Sequence, residues 1–568
     1  MANNFSFSTA PKLYRSRSQQ DLSHIIKTTA NVGTLYPFDC QEVYPGDTFK
    51  VNTNIVTRLS STFFRPVIDN LFMDIYYFYV PSRLCYDKFK NVFGENTESA
   101  WANTTDYSVP ILPSDSSSRT VVKGSVANCL GLPIGTISSN VPINILPFRA
   151  FALIYNEWFR GQNVIQPMHL QNGEYNDSEA LNSNAWSPAN YTGLCPPVAK
   201  LHDLFTSALP APQKGNAVSI PYSFGFVPLR ANPISTDADP ANQLFNNSVY
   251  LGFNGPVNVS GNNWLLGANN VVNTPNSGDT EQFGRAARYS GGSTSSLPQY
   301  GYLISSNLGI DGSNTGGSLS VSDLRFATSY QRMLEMDALS GSRYTEFLRA
   351  HFGVSAPDLQ LQRPEMLGGR RIPISITQVT QTTGEASETS PLGSVGGYSL
   401  TGGKSRYTKG FVEHGYVISV FCIRQFHTYQ QGVERFWTRT KRTDYYDPAF
   451  SSISEQPIYT SELYAFGESD GERRVWGYGE PWYDLRTRQN RISGQLTTGI
   501  DDSMDYWHFG DYYSQAPTLS PDFLNETSNY VNRAITVESS HQDQFLIDFY
   551  MKVRAYRPLP VRSIPRLV

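Results

Sequence analysis

Close to its carboxyl end the chain alternates over a dozen residues. Phe545, Ile547, Phe549, Met551, Val553 and Ala555 are apolar or small, and after Leu546 the positions between and beyond them are Asp548, Tyr550, Lys552, Arg554 and Tyr556. A period of two places the first set on one face of a β-strand and the second on the other, so one face is buried and one is wet. Thr48–Leu59 near the other end has the same period, with Phe49, Val51, Ile55 and Leu59 on one face interrupted by Thr53 and Thr57. Leu71–Val80 and Phe411–Ile423 are apolar or aromatic at nearly every position, which predicts strands covered on both faces, as at the centre of a sandwich. Strong strands therefore sit at both ends of the chain.

Helices are predicted only in the connections. Pro147 precedes Phe148, Phe151, Tyr155, Trp158 and Phe159, a spacing of three and four that gathers the rings on one helical face. Leu201, Leu204, Phe205 and Ala208 predict a second helix. A third runs from a Ser322 cap through Leu324, Ala327, Leu334 and Ala338, and Tyr344, Phe347, Leu348 and His351 form a fourth, closed by Gly353. The stretch from about Tyr222 to Ser320 is crowded with Asn, Gly, Ser and Pro. Its scattered Trp264, Leu265, Leu266, Val271, Val272, Tyr300, Tyr302 and Leu303 favour an ordered projection over a structureless loop.

Charge excludes a general polycation. The 568 residues carry 45 Lys and Arg against 49 Asp and Glu, so any nucleic-acid contact must be local. Only 17% of residues are charged, below an average soluble protein, and the abundance of small polar and turn residues fits β structure rich in connections. No apolar run reaches the length of a membrane helix, so no membrane insertion is expected, and the start Met1-Ala-Asn-Asn-Phe-Ser has no export signal. The five cysteines, Cys40, Cys85, Cys129, Cys195 and Cys422, are accordingly expected to stay as thiols made in a reducing cytoplasm.

Motifs for catalysis are weak. Gly397 to Ser405 approaches a phosphate-binding loop but has five residues before Gly403-Lys404-Ser405 where four are needed, and the Gly-, Ser- and Thr-rich stretch from Gln381 to Gly403 reads as a flexible surface loop. The cysteines and histidines lack metal-ligand spacing, and no serine-nucleophile elbow occurs, so no metal, cofactor or catalytic residue is assigned. Asp501, Asp502 and Asp505, and Glu468, Asp470 and Glu472, are acidic clusters in polar, turn-like runs and read as solvated loops.

The ends are more informative. Lys12, Arg15, Arg17 and Lys27 face only Asp21 in the first 27 residues, and Lys552, Arg554, Arg557, Arg562 and Arg566 close the chain with no acidic side chain among them. With Tyr14, Tyr550 and Tyr556 nearby they are candidate contacts to single-stranded nucleic acid through phosphates and stacking. The same arginines could instead bind carboxylates of neighbouring subunits.

Blocks in order along the chain resemble one family. His24-Ile25-Ile26-Lys27-Thr28-Thr29-Ala30-Asn31-Val32-Gly33 leads into Leu35-Tyr36-Pro37, Glu42-Val43-Tyr44-Pro45-Gly46-Asp47-Thr48-Phe49 and Pro66-Val67-Ile68-Asp69-Asn70-Leu71. Leu146-Pro147-Phe148-Arg149-Ala150, Ile154 to Arg160, Leu209 to Gly215, Ser342-Arg343-Tyr344, His351 to Val354, Gln362 to Gly369 and Arg557-Pro558-Leu559-Pro560-Val561 follow. Together they resemble the major capsid proteins of the Microviridae, of the gokushovirus type, over most of the chain outside Tyr222 to Ser320.

The resemblance implies a mainly β fold, an eight-stranded antiparallel jelly roll with long inserted loops and a few helices, in which Phe49 to Leu59 lies beside Phe545 to Ala555. It implies a basic N-terminal arm at 1–47, a first part of the jelly roll at 48–221, a surface insertion at 222–320 forming a threefold protrusion, and the second part with a basic tail at 321–568. The implied role is structural, not enzymatic: a homo-oligomeric T=1 icosahedral shell around circular single-stranded DNA, assembled in the bacterial host cytoplasm. Scaffolding, internal DNA-binding and pilot proteins are implied partners, and so is a host surface receptor, with Trp264, Tyr289, Tyr300 and Tyr302 as candidates to face it. The alternative from another class is a carbohydrate-binding or carbohydrate-active β-sandwich protein, since aromatic, Asn- and Gly-rich β structure also suits sugar stacking.

Overall fold

A computed structural model describes residues 16–95, 107–112, 119–168, 170, 172–173, 193–216, 218, 229–231, 255–257, 281–283, 308–310, 321–340, 343–355, 357–358, 360–380, 382, 395–451, 455–466 and 473–562. The protein is mainly β, with antiparallel sheets and few helices. Two compact units are present, one built from Met1–Asn216 with Leu334–Val568 and one from Ala217–Met333.

The larger unit holds two main sheets and, among the described residues, two short two-stranded ones. The strands of the main pair are β1 (Ser18–Asp21), β2 (His24–Ala30), β3 (Tyr36–Val43), β4 (Thr48–Leu59), β5 (Leu71–Pro81), β6 (Glu365–Ile374), β7 (Ile376–Thr380), β8 (Val395–Gly410), β9 (Gly415–Gln425) and β10 (Phe545–Arg557). A six-stranded sheet runs β1-β10-β4-β8-β7, with β2 also paired to β10, and a four-stranded sheet runs β6-β5-β9-β3. Phe545 lies opposite Leu59 and Tyr556 opposite Thr48, so the two alternating segments of the sequence are neighbours, as expected.

The inner faces of the two sheets interlock. Phe549 of β10 stacks on Phe38 of β3 at 4.1 Å, Phe421 of β9 packs on both, and Phe49 meets Phe411 edge-on. The two interruptions in the β4 pattern are also buried, each with a partner from β5. The Tyr77 hydroxyl donates to Thr53 Oγ1 at 2.8 Å, and the Thr57 hydroxyl donates to Met73 Sδ at 3.3 Å. A buried hydroxyl is tolerated because it is hydrogen-bonded.

The outer face of the four-stranded sheet is covered as well. α1 (Leu146–Ile154) continues as a wider π-turn through Tyr155–Phe159, bringing Trp158 and Phe159 against Phe78 and Tyr76 of β5. This explains why β5 and β9 are apolar at successive positions. The same covered face buries Asp74, which is held by Arg371 Nε at 2.7 Å and by Arg424 from the two flanking strands.

Two further helices are α2 (Val321–Ser340) and α3 (Tyr344–Phe352), the latter ending at Gly353 with φ 67°, a left-handed conformation glycine adopts without penalty. The helix predicted over Leu201–Ala208 is a turn instead. Asp203 Oδ1 accepts from the amides of Phe205 and Thr206, a local bond that competes with helical pairing. Of the loop predicted from Gln381 to Gly403, Val395 to Gly403 is instead part of β8, and most of the rest lies outside the described residues. A Cβ at Gly403 would lie 2.3 Å from Ile372 Cδ1, so these glycines permit close packing of a strand rather than marking a loop.

In the smaller unit Leu229–Ala231 pairs antiparallel with Leu308–Ile310, and Gly255–Val257 with Glu281–Phe283. The remainder of the 222–320 insertion, including Trp264, Tyr289, Tyr300 and Tyr302, lies outside the described residues. All five cysteines are free. Among the described residues no helix is long and apolar enough to cross a membrane.

Candidate nucleic-acid interface

Unlike its partner, the six-stranded sheet leaves its outer face to solvent. Along β4, β8 and β10 every second side chain points away from the core, and paired residues on adjacent strands share that face. Register then assembles rows across the three strands. Arg406, Asn52 and Lys552 form one; Thr408, Lys50 and Arg554 form the next; Lys404, Asn54 and Tyr550 lie on the other side, and Leu400, Arg58 and Leu546 further along. Successive rows are about 6.8 Å apart, two residues along each strand.

The exposed positions of these strands thus carry Lys50, Arg58, Lys404, Arg406, Lys552 and Arg554, with Asp548 the one carboxylate among them. Asp21 of β1 lies opposite Arg554. Its carboxyl is held below the usual range by hydrogen bonds from the Ser23 hydroxyl and amide, then by the charges of Lys552 and Arg554. Between the rows lies a depression of about 560 Å³ lined by Asn52, Asn54, Arg370, Lys404 and Arg406. Arg370 is steadied there by donating from Nη1 to the Lys404 carbonyl at 2.8 Å.

Such a surface suits a polyanion without sequence reading. Flexible cations spaced over a sheet neutralise phosphates, amide side chains add hydrogen bonds, and Tyr550 offers a ring for stacking. Nothing on it resembles a nucleophile with its base.

The sequence-derived candidates divide by where the fold puts them. Lys552 and Arg554 stand in the basic rows, and Lys27 on β2 lies opposite Asp548. Arg17 and Arg562 are exposed at the two ends of the described chain. Arg557 turns inward. Its Nε meets the buried Asp47 at 3.3 Å, its Nη2 donates to the Glu42 carbonyl at 2.8 Å, and its guanidinium lies over Phe49 and Tyr44. Lys12, Arg15 and Arg566 lie outside the described residues. Sequence reasoning missed Lys50, Arg58, Lys404, Arg406 and Arg370. The signal was available for the first two, in the wet phase of the Thr48–Leu59 alternation.

A second charged cluster is buried. His427 receives Asp511 on Nδ1 at 2.8 Å and Glu526 on Nε2 at 2.9 Å, and Lys200 Nζ reaches Asp511 at 3.2 Å. Burial pushes the imidazole down, but the two carboxylates outweigh it and hold its pKa up at about 9. A ring bonded at both nitrogens has no free lone pair, so it staples segments together rather than acting as a base. Among the described residues no group of His, Cys, Asp and Glu is arranged to hold a metal ion.

Comparison with known proteins reaches the whole chain. Residues 8–567 match the family model described as capsid protein (F protein). The chain is 34% identical to the capsid protein VP1 of Spiroplasma virus 4, covering 97% of this chain and 95% of that protein. It is 32% identical to the capsid protein VP1 of Bdellovibrio phage phiMH2K, covering 99% and 98%, and 31% identical to that of Chlamydia phage 1, covering 99% and 97%.

Proposed function

This chain belongs to the capsid protein (F protein) family, as a structural protein of Microviridae virions and not an enzyme, and from that premise we propose that it closes into a T=1 icosahedral shell around circular single-stranded DNA with its bare sheet face turned inward. The observation that carries the inward assignment is the set of basic rows on β4, β8 and β10, where six cations surround a single carboxylate. A shell must offset genome phosphates on one side only, and this is the side of the sandwich built for it.

We read the sandwich as a jelly roll. Taking β2, β3, β4, β5, β6, β8, β9 and β10 in order, first pairs with last, second with seventh, third with sixth and fourth with fifth. Only the step from β5 to β6 stays within one sheet. That is the pattern of a long hairpin rolled up, the double Greek key found in capsid folds.

The 222–320 insertion is assigned to an outward threefold protrusion that contributes to host attachment through Trp264, Tyr289, Tyr300 and Tyr302. Lys12, Arg15, Arg17, Lys27, Arg562 and Arg566 are assigned to the DNA side together with the sheet face. Synthesis in the bacterial cytoplasm and assembly with scaffolding, internal DNA-binding and pilot proteins complete the reading. A structural role for the chain leaves the carbohydrate-active alternative without support.

The test is co-expression with the scaffold partner, electron microscopy and nucleic-acid analysis of the products. Closed icosahedral particles holding single-stranded DNA are expected, and K404E/R406E/K552E should give closed particles with little or no DNA. Particles from that variant that package DNA normally would remove the inward assignment.

A further inference from the structure

Away from the basic face, the larger unit contains a cavity of about 560 Å³ beside the turn at Leu201–Ala208 and the paired strands Gln456–Tyr459 and Val475–Gly479. Its wall mixes rings with carboxylates: Tyr429, Tyr478 and Tyr483, and Asp203, Glu455 and Glu480. Two of the acids are already engaged. The Tyr429 hydroxyl donates to Asp203 Oδ2 at 2.6 Å, and Arg486 pairs with Glu480.

Glu455 differs. It is only 9% exposed, it lines the cavity, and its Oε2 has no hydrogen-bond partner. A buried carboxylate oxygen without a donor is costly, and native structures rarely leave one so unless something else supplies the donor. Burial, reinforced by the nearby charge of Glu335, holds this carboxyl above the usual range, so an incoming cation would relieve two penalties together.

Two of the rings are pinned by their hydroxyls. Tyr429 is tied to Asp203 and Tyr483 to Glu462, which leaves their carbon surfaces, with Leu204, Leu209 and Leu339, for the apolar part of a ligand. Arg488 and the doubly held His427 are the cations on the wall, against three carboxylates. An anionic ligand would meet those acids and still leave the orphan oxygen unpaired.

We infer that this cavity binds a small aliphatic polyamine, one ammonium donating to Glu455 Oε2 and the methylene stem lying along the tyrosine and leucine wall. An ammonium is a compact charged donor suited to a single unpaired carboxylate oxygen, and an aliphatic stem packs on aromatic surface while the charge is satisfied at the tip. The site is separate from the basic sheet and does not depend on how the shell encloses its genome.

Spermidine titrated calorimetrically into the purified protein is the direct test, with sorbitol as a neutral hydroxyl-bearing control. Saturable binding is expected, weakened about 10- to 100-fold in E455Q, the loss that goes with removing a charged hydrogen bond. E480Q removes a wall charge at a side chain 56% exposed, where a substitution costs the fold little, and should weaken binding by a smaller factor; D501N/D502N should leave it unchanged. Equal spermidine affinity in wild type, E455Q and E480Q would show diffuse attraction and overturn the site, as would sorbitol binding as tightly as spermidine. Circular dichroism of E455Q separates lost binding from lost fold, and E480Q carries the test if E455Q does not fold.

Discussion

The two sheets of the sandwich share one core and differ on their outer faces. On β5 and β9 the outward side chains, such as Phe78, Ile418 and Val420, are buried beneath α1 and its π-turn, and the strands read as continuous apolar runs. On β4 and β10 the outward side chains meet solvent, and the strands alternate. Cover therefore decides the sequence pattern, and its lack leaves room for function. A covered face has to satisfy packing at every position, whereas a bare one can be filled with lysine and arginine at little cost to the fold.

The comparison is broken most severely by making the covered face hollow. Phe78→Ala removes a ring packed between Trp158 and Phe159 and should cost about 3–5 kcal/mol in urea unfolding, whereas Tyr550→Ala on the bare face should stay within about 0.5 kcal/mol. Similar losses for both would mean that the bare face is buried against something in the folded protein. Asp74→Asn comes next. It leaves Arg371 and Arg424 without their shared carboxylate, and a loss of about 3 kcal/mol is expected because a buried ion pair broken on one side leaves its partner uncompensated.

Acidity sharpens the contrast between enclosed and open charge. His427 has its pKa raised from 6.5 to about 9, so its contribution is complete below about pH 6.5 and lost as pH rises through 9. Asp511 is shifted the other way, below 3.8. Burial pushes its pKa up, but His427, Lys200 and the hydrogen bonds together pull it lower, so its contribution is lost only in strong acid. Unfolding titrations should show stability falling by about 1–3 kcal/mol between pH 6.5 and 9, and His427→Gln should flatten that slope. The smallest effect on the fold belongs to Arg554→Ala and Lys552→Ala, each within about 0.5 kcal/mol. Each should also lower the log–log salt dependence of single-stranded DNA binding by about 0.7 for every phosphate it no longer neutralises.

Strand identity was legible because burial writes itself into periodicity. Phe545 to Ala555 and Thr48 to Leu59 announced both their conformation and their wet faces, and Lys552 and Arg554 followed. Tyr344 to His351 with Gly353 announced a helix and its end. Lys404 and Arg406 escaped because β8 carries Gly402 on its wet face and Gly403 against the core, and a glycine-rich strand looks like a loop until Ile372 is seen filling the space beside Gly403. Leu201 to Ala208 misled in the opposite sense, its apolar spacing being helical while Asp203 captured the amides for a turn. Arg557 is the opposite case: three residues beyond Arg554, it falls in the buried phase of the same alternation, and it lands beside Asp47.

The position of β10 between β4 and the β1–β2 pair has a consequence for synthesis. The last of these strands to leave the ribosome is the one on which its sheet is centred, hydrogen-bonded on both sides to segments from the start of the chain. At about 5–20 residues per second, roughly 25–100 s separate the emergence of β4 from that of β10. Throughout that interval β4 has one long edge open and its apolar face unmatched, and pairing across so large a sequence separation is slow even once both partners exist. A nascent chain of this design must be shielded from its neighbours on the polysome, and the amount of soluble subunit a cell can make should depend on chaperone supply more than on the stability of the finished fold.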